Sequence, residues 1–576
     1  MPKHRVLVLA LLAAGCGAPG GGLRTTAPET APAGWRFATP PPPVPGRYTM
    51  VVSDHPAASA VGVEVLRRGG NAIDAAVAVG FALAVVHPQA GNIGGGGFLV
   101  YRAADSQVYA LDYREAAPAA ASRDMYLDAH GDLNGKSLTG ALASGVPGSV
   151  AGMAEMHRRF GRLPWRDLVE PAVALARDGF VVDAHRAGAF ADTTSRRRLR
   201  LFPSTVAAFF PGGHVPEEGD TLRQPELART LERIADSGAA AFYRGGIADL
   251  IVAQMQRSGG IITREDLAGY AARWREPVQA TYRGWRVISM PPPSSGGVVL
   301  AELLNILEGF GPLPPFGSAQ LLHLEIEGMR RAFTDRNRWL GDPDFVAMPV
   351  ARLTSKAYAD ELRRGINPDR ATPSSAMPPI VEGQETTHYS IVDQEGSAVA
   401  VTTTLNDNFG SALAVDGGGF LLNDEMDDFA AKPGTPNLFG LVQGEANAIA
   451  PGKRMLSAMT PTIVLDSVGR LALVLGSPGG PTIITAVLQV LSNVLDHRMS
   501  LSEAVSAPRI HHQGLPDSVL WEPGGITPDA RRVLEAMGHR FRRRPGTLAD
   551  VNAVLVTPHG LEGVADPRRG GGAAGW

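Results

Sequence analysis

Residues 381–410 read VEGQETTHYSIVDQEGSAVAVTTTLNDNFG. Two runs inside this stretch, HYSIVD and SAVAVTTTLN, alternate apolar and polar residues as strands do, with a turn expected at Gln394 to Gly396. Pairing of the two strands carries Thr386 and Thr404 to neighbouring places, where the second hydroxyl can hold the first. A hydroxyl side chain becomes a self-sufficient nucleophile when its own residue heads a chain, because the free α-amine then serves as its general base. The genetic code cannot place such a residue in mid-chain. Self-cleavage between Glu385 and Thr386 is the reading that follows, with a large part, 48–385, and a small catalytic part, 386–576. The lead NPDRATPSSAMPPIVEGQE, at 367–385, is polar and proline-rich, as a segment that is cut and moves away would be. The competing reading is that Thr386 and Thr387 simply open a strand, as threonine often does.

Upstream, apolar residues recur at helical spacing through ASAVGVEVLRR and NAIDAAVAVGFALAVV. Gly69 and Gly70 end the first helix; Asn71 caps the second and Asp74 sits in its first turn, where the helix dipole favours an anion. The segments FLVYRA and QVYALDYRE predict paired strands onto which these helices pack. The intervening GNIGGGGFLVY leads into a strand and lacks the Lys and Ser/Thr of a phosphate-cradling loop, so close backbone packing is expected there. Arg114 stands at the end of a strand, where its guanidinium can meet a carboxylate in bidentate fashion; a surface ion pair with Glu115 or Asp112 is the alternative. Residues 149–180, 225–275 and 318–365 read as mostly helical, and SMPPPSSGGVV, at 289–299, as a rigid turn before an apolar helix. Near Pro481, GSPGGPTIITAV predicts a tight glycine loop and a helix start whose backbone amides suit a developing negative charge.

The chain has 576 residues, 44% apolar and 19% charged, and a formal net charge of -3. That balance offers no electrostatic footprint for nucleic acid. Lys3, His4 and Arg5 precede an apolar run over 6–14 that ends in AAGC at Cys16, the single cysteine. This is an export signal, and small residues before a lone Cys resemble the bacterial lipoprotein pattern, in which Cys16 would carry the lipid; the alternative is a plain secretory signal cut near Ala18. Residues 17–47, rich in Pro and Gly, read as a tether.

Several separated strings together resemble the γ-glutamyltransferase (γ-glutamyltranspeptidase) family of N-terminal-nucleophile hydrolases. They are GGNAIDAAVAVGFALAVVHPQAGNIGGGGF, DYREAAP, ETTHYSIVD, AVAVTTTLN, GFLLNDEMDDFAAKPG, KRMLSAMTPTIV, GSPGG and APRIHHQ, in the family's order. The resemblance implies a four-layer αββα sandwich of α+β class, built from both parts after cleavage. It implies Thr386 as nucleophile, Thr404 as its orienting hydroxyl, and Gly479 and Gly480 as oxyanion donors. Arg114 and Ser457 would hold the α-carboxylate of a glutamyl group, and Asn406, Glu425 and Asp428 its α-amino group. The implied partners are γ-glutamyl small molecules such as glutathione, amino-acid or peptide acceptors, and water, with no metal or other cofactor. His388, His511 and His512 are assigned to structure, and Asp427 to local hydrogen bonding. AAKPGTPNLFGLVQG resembles a lid loop with Phe439 as cover residue. Many members have a second Ser where this chain has Ala458, which is expected to loosen the grip on the α-carboxylate and weaken discrimination against glutaryl groups. Glutaryl (cephalosporin) acylase is thus the rival within the family, and an uncut, inactive envelope binding protein the rival outside it.

Overall fold

In the computed structural model, which describes residues 34–374, 386–544 and 546–576, the two expected strands form. Thr387–Val392 and Ala398–Thr404 pair antiparallel, from Thr387 opposite Thr403 to Val392 opposite Ala398. Alternation then sorts their side chains, since successive residues of a strand point to opposite faces. Tyr389, Ile391, Val399 and Val401 go to a face covered by helices. Ala398 and Ala400 go to the other, where with Met50 and Phe98 of the same sheet they meet Ile463 and Val474 from a second sheet.

Both principal sheets contain seven strands among the described residues. One runs in the order 572–575, 50–53, 387–392, 398–404, 96–102, 108–113, 273–275, and the other 44–46, 560–564, 552–557, 471–476, 462–465, 285–289, 278–282. All neighbours within them are antiparallel. Strands from before and after residue 386 interleave in both sheets. Loss of one peptide bond there would leave the ladders and the core between them intact.

Helices close the outer faces. Ala72–Val86 is apolar on every side and wholly buried, with Ile73, Val77 and Phe81 in the same core as Val51, Leu99 and Val401. Its start is reciprocally capped: Asn71 Oδ1 accepts from the Ile73 and Asp74 amides, both at 3.0 Å, while Asp74 Oδ2 accepts from the Asn71 amide. On the opposite side Gly296–Glu308, Ala319–Trp339 and Thr482–Leu495 cover Val287, Val464, Leu473 and Leu555. The result is the expected four-layer αββα sandwich.

The tether ends earlier than composition suggests. Trp35 is buried and its Nε1 donates to the Ser506 carbonyl, and Val44–Gly46 pairs with the strand Gly560–Val564. One aromatic side chain with a hydrogen-bonded indole anchors a stretch whose prolines and glycines carry no periodic signal. Cys16, the export signal and Glu385 lie outside the described residues. Among the described residues no helix is long and apolar enough to cross a membrane.

Candidate active site

Thr386 stands at the head of a central strand, almost fully buried, with its Oγ1 3.4 Å from Thr404 Oγ1. Thr404 is held from two directions. Its Oγ1 accepts from the Asn406 amide at 2.8 Å, and its carbonyl accepts from Asn92 Nδ2 at 2.8 Å. Asn92 belongs to the glycine-rich segment, and the packing expected of that segment is present: a Cβ on Gly95 would lie 2.1 Å from the Thr404 carbonyl oxygen. On the other side of the strand Asp54 Oδ2 accepts from Thr387 Oγ1 at 2.7 Å and from the His388 amide at 3.2 Å. Asn552 Nδ2 donates to Asp54 and, at 2.9 Å, to the His388 carbonyl. The two residues after Thr386 are therefore fixed by polar groups from remote parts of the chain.

A cavity opens at Thr386, and every predicted site residue among the described ones lines it except Gly479, the neighbour of lining residue Gly480. Arg114 is buried rather than paired at the surface. Its guanidinium donates to Asp428, lies 2.7 Å from Glu425 Oε2 and 3.6 Å from Glu115 Oε2, and its Nε donates to the Met455 carbonyl at 3.3 Å. Burial alone would lower the Arg114 pKa; Glu425, Asp428 and Glu115 outweigh it and hold the guanidinium above its ordinary value. Burial likewise raises all three carboxyls, against the opposing pull of Arg114. Three carboxyls crowd around one guanidinium in a dry site, where burial favours their neutral forms. An ammonium group brought among them would favour the charged forms.

Ser457 sits across the cavity; its amide donates to the Pro293 carbonyl and its own carbonyl accepts from the Ser295 amide at 2.8 Å and Ser295 Oγ at 2.6 Å. The SMPPPSSGG turn thus holds the Ser457 backbone. Asn406 has φ 86, and its Nδ2 donates to the Asp424 carbonyl at 3.1 Å. Gly479 and Gly480 take φ 130 and 57, conformations open to glycine, just ahead of the helix Thr482–Leu495. Among the described residues neither amide donates a hydrogen bond.

Phe439 lies over Gly480, close enough that a Cβ on the glycine would come 2.9 Å from the ring. Asp427 accepts from Ser137 Oγ at 2.7 Å and from the Leu438 amide at 2.9 Å, tying this loop down as a local partner. With Phe439 in place the cavity measures about 20 Å³, room for about one water. His388 bonds Thr402 and Ser390, and His511 bonds Thr485 and Gln513; none of these partners is acidic, and burial lowers both imidazoles to about 3. His512 faces Asp517 instead, 3.3 Å away.

The residues that sequence reading missed are Asp54, Asn552, Ser295, Arg336 and Gln443. Arg336 lines the cavity from the last turn of Ala319–Trp339. The PPPSSGG string was visible, but as a turn and not as a support for Ser457.

One earlier expectation needs correction on chemical grounds. A glutaryl group keeps the carboxylate of a glutamyl group and lacks only the amine. Ala458 lines the cavity beside Ser457, so it bears on how tightly either group is held. Discrimination between them must come from groups that meet the amine.

A layered α+β sandwich with a buried hydroxyl residue heading a central strand of one sheet is the architecture of the N-terminal-nucleophile hydrolases. The γ-glutamyltranspeptidase family model matches residues 58–576. A glutathione hydrolase proenzyme of Escherichia coli is 48% identical over 536 residues, 91% of each chain. An acylase ACY 1 proenzyme of a Pseudomonas species is 39% identical over 550 residues, 94% of this chain and 95% of the relative. The solved cephalosporin acylase of Bacillus halodurans is 28% identical with a TM-score of 0.84, covering 95% of this chain and 99% of that one. The chain belongs to the γ-glutamyltranspeptidase family.

Proposed function

We propose that this chain is an autoprocessing γ-glutamyltransferase and glutathione hydrolase, and that Thr386 is its nucleophile. The observation that carries the reading is the meeting, in one buried cavity, of a strand-head hydroxyl with guanidinium and carboxyl groups side by side. That combination complements the carboxylate and ammonium that share one carbon of a γ-glutamyl group.

In the mechanism, cleavage before Thr386 frees its α-amine, whose ordinary pKa of about 7.7 to 8.0 suits a base near neutral pH. The amine takes the proton from Oγ1 as the oxygen attacks the γ-carbonyl carbon. The carbonyl electrons move onto oxygen, opposite the Gly479 and Gly480 amides. Collapse re-forms the carbonyl, breaks the C–N bond and passes the proton to the departing amine, leaving a γ-glutamyl ester on Thr386. Water, an amino acid or a small peptide then attacks the ester through the same oxyanion, and Thr386 is regenerated. Thr404 orients Oγ1, Arg114 with Ser457 takes the carboxylate, and Asn406, Glu425 and Asp428 take the ammonium.

The likeness to acylases supports glutaryl acyl transfer as a second reading. Against it, a glutaryl group brings no ammonium for Glu425 and Asp428 to meet. We place the enzyme outside the cytoplasm, in the periplasm or cell envelope, with Cys16 as a lipid anchor; the N-terminal sequence supports this.

The test is a denaturing gel with intact mass and N-terminal sequencing, run beside Thr386→Ala. The wild type is expected as two fragments, the smaller starting at Thr386 and active on a γ-glutamyl anilide, and the variant as one inactive chain. A wild type that stays whole would leave the uncut binding protein as the better account. A Thr386→Ala chain that still splits and works would sink the mechanism.

A further inference from the structure

Arg336 is a buried arginine with no carboxylate within ion-pairing distance among the described residues. Burial holds its pKa down to about 10, with Asp428 pulling the other way. A desolvated guanidinium without a paired anion is costly to bury, so what it touches is informative. Its Nε donates to Ser295 Oγ at 2.9 Å, and Ser295 Oγ donates in turn to the Ser457 carbonyl at 2.6 Å. Its Nη1 donates to Gln443 Oε1 at 3.4 Å and to Asn337 Oδ1 at 2.9 Å. Gln443 Nε2 donates to the Asp428 carbonyl at 2.9 Å, and Asn447 Nδ2 bridges Gln443 Oε1 and that same carbonyl at 2.8 and 2.7 Å. One guanidinium therefore reaches the backbone of Ser457 by one arm and that of Asp428 by the other. These two residues stand on the carboxylate and ammonium sides of the glutamyl reader.

Resting on the glutamyl reading above, we propose that Arg336 is the positioning residue that sets the spacing between the two halves of the reader, and so makes recognition of a zwitterion specific. Its rigid planar fork is what the role requires: a fixed angle between two donors, which a lysine cannot supply. The position on Ala319–Trp339 gives it a stable base. The same helix holds the end of the lid loop, since the Gly444 amide donates to the Asn337 carbonyl at 3.0 Å. Lid, Asp428 and Ser457 are thereby referred to one helix turn.

Three anilide donors separate the arms: γ-glutamyl carries both charged groups, glutaryl only the carboxylate, and 4-aminobutanoyl only the ammonium. Ser295→Ala is expected to raise KM about three-fold for the two carboxylate donors and leave the third unchanged. Gln443→Leu is expected to raise KM about three-fold for the two ammonium donors and leave glutaryl unchanged. Arg336→Met combines them, with KM up about ten-fold for γ-glutamyl and about three-fold for each single-group donor, by rough additivity of the two arms. In all three variants kcat stays within about three-fold of wild type, because these contacts hold ground and transition states alike. Arg336→Lys is expected to rescue little.

A uniform fall in kcat across the three donors, or the same KM pattern in Ser295→Ala and Gln443→Leu, would overturn the proposal and make Arg336 merely structural. If Arg336→Met does not fold, the two single-arm variants decide by the same criteria. A wild type that turns over glutaryl but not γ-glutamyl anilide refutes the glutamyl reading itself, which is visible before any variant is compared.

Discussion

Replacing Ala458 by Ser tests the carboxylate side of the site with a single added oxygen. Ala458 lines the cavity next to Ser457 and is only 8% exposed, so a new hydroxyl there would bond the donor's carboxylate largely out of water. A hydrogen bond to a charged group contributes about 1.5 to 3 kcal/mol. The cavity is small, and the Ala458 carbonyl is already engaged by Thr460 Oγ1 at 2.8 Å, so the hydroxyl must fit without moving that backbone. The lower end of the range applies, about 1.5 kcal/mol, which is roughly ten-fold. The carboxylate does not change during acyl transfer, so the gain is uniform binding and belongs in KM rather than kcat. Steady-state kinetics on the three anilide donors should show KM about ten-fold lower for γ-glutamyl and glutaryl, unchanged for 4-aminobutanoyl, with kcat steady. An equal gain for the 4-aminobutanoyl donor, or none for glutaryl, would refute the placement of the carboxylate beside residue 458.

Two other perturbations address the loop and the core. Gly480→Ala keeps the backbone amide but adds a Cβ at φ 57, about 1 to 2 kcal/mol of strain, and drives it to 2.9 Å from the Phe439 ring. A kcat roughly ten-fold lower is expected; the double variant with Phe439→Ala should recover part of it, and a double variant no better than the single one would deny the contact. His388 binds no proton in the fold until about pH 3, against an ordinary value of 6.5, through burial. Below pH 6.5 the unfolded chain therefore binds more protons than the native one, and stability is lost as pH falls. At pH 5 that loss amounts to about 2 kcal/mol from this residue. Denaturant unfolding at pH 8 and pH 5 should show His388→Gln losing about 2 kcal/mol less than wild type, and identical losses would show that the imidazole is not neutral and buried.

The sequence by itself determined the local elements and the chemistry-bearing strings. The Asn71 and Asp74 cap, the strand pair around Gln394–Gly396 and the close backbone packing of the glycine run were legible because each depends on neighbours in sequence or on a residue type with one physical use. Thr386, Arg114, Asp428 and Gly480 were found for a related reason: their strings resemble those of a known family, and each string is short. Only the tertiary structure decided how those strings are held. Asp54 reaches Thr387, Asn552 reaches Asp54 and His388, and Arg336 reaches Ser457 through Ser295, across separations of a hundred residues or more in most cases. A single hydrogen bond between distant residues leaves no periodicity and no compositional trace. Trp35 escaped for the same reason, since a tether and an anchored segment differ by one buried indole. The sequence carries the groups proposed to react. The distances that let them act together follow from packing two sheets and their helices into one body.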